Sequence, residues 1–221
     1  IMVIAMLAAG LLTWKLAKKH RWPLNNLLDL GFNIIISGLI GARLYHVLIH
    51  WSDYSNQLLD IFKIWQGGLA IHGGLIGGLI ALWLTCQQRH WSFWQLAGWL
   101  IPGVALGQAI GRWGNFFNQE LFGQPSTMPW AIPIDIWHRP LNSITASHYQ
   151  PLFLYESIAC LLLAILLYQL SRRQVLASKI IGVYLLGYGA TRFIMEFFRQ
   201  DPTWILWGWR WPQWLSLLLI I

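Results

Sequence analysis

The chain has 221 residues, of which 57% are hydrophobic and 10% charged, with a mean hydropathy of +0.51; soluble globular domains, with about 25% charged residues, are excluded, and an all-α integral membrane protein is indicated. The net charge of +7 comes without a basic tail or an RNA-binding signature, so nucleic acid is excluded as a partner, and cytoplasmic loops beside anionic lipid account for it. The 16 tryptophans fit the same class, because indole rings favour the membrane–water boundary. Cys86 and Cys160 both lie in apolar runs with no CxxC motif or Cys/His cluster, so neither a metal site nor a disulfide framework is signalled.

A membrane span needs about 20 apolar residues, and about seven transmembrane helices are expected. Residues 1–16 form a short first span, followed by Lys15, Lys18, Lys19 and Arg21. The chain opens on Ile1 and closes inside an apolar run at Ile221, so both ends read as truncated. The second span is 30–49, with Arg43 and His46 inside it, and the third is 68–86, opened by Gly67 and Gly68 and carrying His72. The fourth is 93–111. Residues 112–150 then form an irregular polar segment with Pro125, Pro129, Pro133 and Pro140, and long ordered loops of this kind are often functional. The fifth span is 152–170, the sixth 180–198, and a seventh begins at Trp211. No internal repeat is visible, and residues 1–221 read as one domain.

Lysine and arginine placement orients the chain. Lys15, Lys18, Lys19, Arg21, Arg89, Arg172, Arg173 and Lys179 follow the first, third and fifth spans, whereas only Lys63, Arg139 and Arg210 lie in loops of the other side. The first group belongs in the cytoplasm, so segment 112–150 faces outward.

The chemistry-bearing residues collect at the outward ends. Arg112, Arg192 and Arg199 end the fourth and sixth spans. Left facing lipid, each would cost ~3 kcal/mol on an insertion scale. Arg192 and Glu196 are four apart and Arg199 is three beyond Glu196, so one carboxylate can hold both arginines. If Arg112 joins them, the surplus positive charge makes an anion site, because guanidinium forks bind phosphate oxygens in pairs. The other reading is internal ion pairing that only holds helices together. Glu156, early in the fifth span, needs a partner: either it pairs with an arginine such as Arg43 or it acts directly. His72, beside Gly73 and Gly74, is a base or hydrogen-bond donor, or a satisfied structural group.

Five ordered blocks carry a family resemblance. They are Gly111-Arg112-Trp113-Gly114-Asn115-Phe116-Phe117-Asn118-Gln119-Glu120-Leu121-Phe122-Gly123, similar to the signature GRxGNFxNxExxG; Gly41-Ala42-Arg43-Leu44-Tyr45; the run from Trp65 to Gly77 around Ile71-His72-Gly73-Gly74; Tyr155-Glu156; and the run from Gly187 to Arg199. Over nearly its whole length the chain resembles the bacterial prolipoprotein diacylglyceryl transferases. The resemblance implies a seven-span enzyme of the bacterial inner membrane, multi-pass, with its active side outward. Its expected partners are phosphatidylglycerol and a prolipoprotein signal peptide with a lipobox cysteine. The diacylglyceryl group passes to the cysteine thiol and glycerol phosphate leaves, with no metal and no cofactor. By motif, His72, Arg112 and Arg192 are the expected catalytic residues. Arg112, Asn115, Asn118, Gly123, Glu196, Arg199 and Arg43 are expected to bind substrate. The chain departs from the family pattern in three places. A tyrosine near the start of the first span would precede Ile1, Gly98 stands where aspartate is common, and Phe153 stands where many members have glutamine. The competing class is an anionic-lipid transporter or flippase using the same arginines. It usually brings inverted repeats or broken helices, and neither is seen in this sequence.

Overall fold

The structure is a computed structural model and describes residues 1–55, 57–200 and 203–220. Each apolar stretch is helical: α1 (Met2–Lys19), α2 (Leu24–Ile49), α4 (Ile71–Gln88), α5 (Phe93–Phe117), α6 (Leu152–Arg172), α7 (Ala177–Met195) and α8 (Trp211–Ile220), with a single-turn α3 (Trp51–Tyr54) after α2. The expected end of the last span, Ile221, lies outside the described residues. Among the described residues, three helices are long and apolar enough to cross a membrane: Leu24–Ile49, Leu152–Arg172 and Ala177–Phe198. Only 17% of the most apolar stretch of the first and of the third is buried within the protein. Apolar faces left this bare require an apolar solvent, and lipid supplies it.

Two boundaries differ from the expectation. The third span begins at Ile71, not at residue 68, because Gly67 and Gly68 adopt left-handed φ of 91° and 73° and form the turn before the helix. The fourth helix runs past Gly111 to Phe117, which places Arg112 on the helix and not in the loop after it.

The chain forms two compact units, Ala17–Leu96 and Ile1–Leu16 with Ala97–Ile221. In the first unit α2 packs on α4. Their backbones meet directly. A Cβ on Gly41 would overlap the Gly73 carbonyl oxygen, and one on Gly77 would overlap the Ser37 carbonyl oxygen. Small residues at such a crossing let the helices approach closely.

In the second unit α7 packs on both α6 and α8. Ala105 of α5, Leu163, Ala164 and Leu167 of α6 and Ile180 of α7 form its buried centre. Gly98 lies against the start of α7, where an added Cβ would come within 2.7 Å of the Ala177 Cβ. An aspartate therefore has no room at position 98 in this chain. Phe153 fills a pocket between Trp113 and Phe116, with ring centroids 5.4 and 5.0 Å away.

The segment between α5 and α6 has a small core of its own. Strands β1 (Ile132–Pro133) and β2 (His148–Tyr149) pair antiparallel, with Ile132 opposite Tyr149. Phe122, Ile134 and Tyr149 are buried together. Arg139 donates from Nε to the Ile134 carbonyl at 2.8 Å and from Nη1 to the Ile144 carbonyl at 3.2 Å. Before α8, strands β3 (Ile205–Leu206) and β4 (Trp209–Arg210) form a hairpin. Its turn residues Trp207 and Gly208 both have left-handed φ, 50° and 79°, the backbone that closes tight two-residue hairpins.

The glycines of α2 provide a test of the helix crossing. Gly31 has no protein atom within 4 Å of an added Cβ, so Gly31→Ala should hold or raise the melting temperature, since alanine gains up to ~1 kcal/mol over glycine in a helix. Gly41→Ala should lower it, because overpacking costs ~1–3 kcal/mol. Thermal unfolding of both variants in detergent reads the difference.

Candidate active site

Two carboxylates organise the site. Glu156, in the second turn of α6, is reached from both sides. Arg112 of α5 places Nη2 2.6 Å from Oε2, and Arg192 of α7 donates from Nη1 to Oε1 at 2.6 Å. Glu156 Oε2 accepts no aligned hydrogen bond among the described residues, so its contact with Arg112 is an ion pair only. Arg112 makes no other ion pair and no hydrogen bond among the described residues, and its remaining donors are uncommitted.

Glu196 is the second hub. At the end of α7 the helix tightens into a 3₁₀ turn over Glu196–Phe198, and residues three apart eclipse in that geometry. Arg199 Nη1 thereby comes 3.7 Å from Glu196 Oε2. Arg192 Nη2 lies 3.5 Å from the same oxygen. The β3–β4 hairpin brings a third guanidinium: Arg210 donates from Nε to Glu196 Oε1 at 2.8 Å and from Nη1 to the Arg199 carbonyl at 3.0 Å. The charges thus alternate from Arg112 through Glu156, Arg192 and Glu196 to Arg199 and Arg210.

Burial separates the two signs. The glutamate side chains are 5% and 1% exposed, whereas Arg112, Arg192 and Arg199 are 17%, 16% and 15% exposed. The carboxylates are almost fully buried, while each of these arginine side chains keeps some exposure to the surface. Arg192 stands in the last turn of α7, where a helix favours a cation.

The signature block folds back on itself. Asn115 and Asn118 both donate side-chain N–H groups to Glu120 Oε1, at 2.9 and 3.2 Å. Gln119 and Leu121 hold left-handed φ of 51° and 56°, uncommon for residues with side chains and a form of strain that collects at functional sites. Gln119 closes on Asp135, accepting from its backbone N–H at 2.8 Å and donating to its carboxylate at 2.9 Å. Gly123 is a packing position, because an added Cβ would lie 3.0 Å from the Gln150 Cβ.

Arg43 and His72 belong to the other unit. Arg43 is buried. Its Nε donates to the Ile61 carbonyl at 2.8 Å, Nη2 to the Asp60 carbonyl at 2.6 Å, and Nη1 to the Gly67 and Gly68 carbonyls at 2.7 and 3.0 Å. Its guanidinium also lies 5.1 Å from the centre of the Tyr54 ring. It clamps the 58–68 loop onto α2. His72 is exposed in the first turn of α4, with its ring centroid 5.9 Å from that of Tyr45.

The structure brings Arg112, Arg192, Glu196 and Arg199 into one network. It adds two members not expected there: Glu156 as the bridge and Arg210, which counts in the sequence as an ordinary loop charge. The signal for Arg210 was its position between Trp209 and Trp211 at the start of an apolar helix, where a charge needs a partner.

Helices with bare apolar faces and a buried relay of arginine and glutamate at one end define a helical membrane protein. The chain belongs to the prolipoprotein diacylglyceryl transferase family, whose sequence profile matches residues 1–221. It is similar to phosphatidylglycerol–prolipoprotein diacylglyceryl transferases of Synechococcus elongatus, Synechocystis sp. and Thermosynechococcus vestitus. The first is 42% identical over 203 residues, covering 89% of this chain and 70% of the relative. The second is 44% identical over 179 residues, covering 78% and 63%, and the third is 36% identical over 204 residues, covering 91% and 76%.

Removing one hub tests the relay. Glu196→Gln leaves three arginines facing a neutral amide in a buried site, and breaking such a pair costs ~3–5 kcal/mol. Its melting temperature should fall well below that of Asn118→Ala, which loses one exposed hydrogen bond.

Proposed function

We propose that this chain transfers the diacylglyceryl group of phosphatidylglycerol to the thiol of a lipobox cysteine in a prolipoprotein, releasing glycerol phosphate as the first step of lipoprotein maturation. Residues 1–221 act as one transferase domain with about seven spans, and the segment between α5 and α6 faces outward from the bacterial inner membrane. The family match, the substrates named for the relatives and the lysine and arginine distribution support this reading.

One observation carries the chemistry: the network's carboxylates are buried while its arginine side chains are partly exposed, and Arg112 keeps donors with no partner among the described residues. In the reaction the thiolate sulfur attacks the glyceryl carbon that bears the phosphate ester. The S–C bond forms, the C–O bond breaks, and the electron pair stays on the departing phosphate oxygen. Arg112 and Arg192, with Arg199, hold the phosphodiester and stabilise the charge gathering on the leaving group. Glu156 and Glu196 orient those guanidiniums. The Asn115–Glu120–Asn118 cluster shapes the headgroup side of the site. Gly111 and Gly114 support that role, since an added Cβ at either meets no protein atom within 4 Å, which leaves space beside Arg112. The part of His72 is to take the thiol proton or to orient the donor, and the part of Arg43 is to hold the loop that precedes α4.

Purified protein in phosphatidylglycerol vesicles, given a peptide with one lipobox cysteine, should release glycerol phosphate and add a diacylglyceryl mass to the peptide. Arg112→Lys keeps the charge but loses the planar fork, and its turnover should fall by ~10²-fold, the usual cost of one transition-state donor. Wild-type turnover by Arg112→Lys, or a Cys→Ser peptide that still drives release, would refute the scheme.

A further inference from the structure

The segment between α5 and α6 encloses an open groove of about 840 Å³, within the ~300–1,000 Å³ usual for ligand sites. Strand alternation decides part of its lining. Tyr149 points into the small core and is fully buried, so its neighbours His148 and Gln150 fall on the opposite face and line the groove. Ser126 and Thr127 line it from the first part of the segment, and Thr145 and Ser147 from the last. Among the described residues the lining holds no lysine, arginine, aspartate or glutamate. A phosphate would find no cation there, and an acyl chain would bury hydroxyl, amide and imidazole groups at a cost. Mixed donors and acceptors on a neutral surface suit an extended, uncharged polypeptide.

The groove is tied to the arginine network at two points. The Gln150 carbonyl accepts from the Gly123 N–H at 2.9 Å and from the Leu152 N–H at 3.0 Å, at the start of α6. Trp130, between the lining residues Pro129 and Ala131, donates its indole N–H to the Tyr155 hydroxyl at 2.8 Å. Tyr155 precedes Glu156. Leu152 to Glu156 is four helical rises, ~6 Å, and an extended chain advances ~3.3 Å per residue, so a peptide spans the interval in a few residues.

We propose that this groove binds the acceptor protein: an extended, uncharged stretch that begins a few residues past the reacting cysteine. The inference rests on the transferase reading above and adds the site that recognises its polypeptide substrate.

The test compares two acceptor peptides in phosphatidylglycerol vesicles, one ending at the cysteine and one extended by six neutral polar residues. Ser126→Trp and Thr145→Trp, which fill the groove from a half-buried and an exposed lining position, should each raise KM for the extended peptide by about tenfold and leave both kcat and the short peptide's KM within about twofold. A benzophenone in the extension, with wild-type protein, should crosslink to residues 125–131 or 145–150. Equal effects of the tryptophans on both peptides, together with crosslinks only elsewhere, would overturn the proposal. If a variant loses both activities through misfolding, the wild-type crosslink decides alone. Wild-type protein that modifies neither peptide refutes the transferase reading instead.

Discussion

A buried carboxylate between two guanidiniums is the constraint on which one end of this molecule depends. Glu156 sits on α6 but is paired, among the described residues, with side chains of α5 and α7. Glu196, nearly inaccessible, is paired among the described residues with Arg192 of its own helix, Arg199 just past it and Arg210 of the hairpin before α8. An ion taken from water into a low-dielectric interior costs several kcal/mol unless its partners are in place. The ends of α5, α6, α7 and the hairpin are therefore committed to one another. Apolar packing between Ala105, Leu167 and Ile180 brings these helices side by side, but such packing is tolerant of small slides. Charge pairing is not, and it sets their register.

The same arrangement makes the guanidiniums ready for a ligand. An arginine with no partner in a membrane protein would snorkel toward water and lose a defined position. Here the carboxylates hold the arginines in place, and Arg112 keeps donors with no partner among the described residues, so a phosphate there would meet a guanidinium whose direction is already set. Preorganisation of this kind avoids reorientation as charge develops in a transition state. The strained turn at Gln119 and Leu121, locked by Gln119 on Asp135, extends the rigid frame from the helix end into the segment beyond.

Much of this was legible in the residues. Every apolar run of the sequence is helical among the described residues, and for the three helices long and apolar enough to cross a membrane a helix is the way to satisfy the backbone in lipid. The grouping of Arg192, Glu196 and Arg199 followed from spacings of three and four. The partners of Glu156 were not legible, since they depend on which helix ends share a level, and that is a property of packing. Arg43 looked like a candidate counter-charge for Glu156. Its carbonyl partners belong to a loop whose path, turned by Gly67 and Gly68, no periodicity reveals. Arg210 was hidden for a similar reason: only the tight reversal at Trp207 and Gly208 carries it back to Glu196. Asn115 and Asn118 carried the right chemistry, yet nothing in their spacing showed that both would close on Glu120.

The carbonyl cage around Arg43 has an electrostatic consequence. The four arginines of the relay share two carboxylates, which cancel part of their charge at a distance. Arg43 is solvated by the oxygens of residues 60, 61, 67 and 68, which are dipoles and carry no net charge. They stabilise the cation without cancelling it. Seen from several ångströms away, Arg43 is still a whole positive charge, held in a protein cage that dissolved salt does not enter.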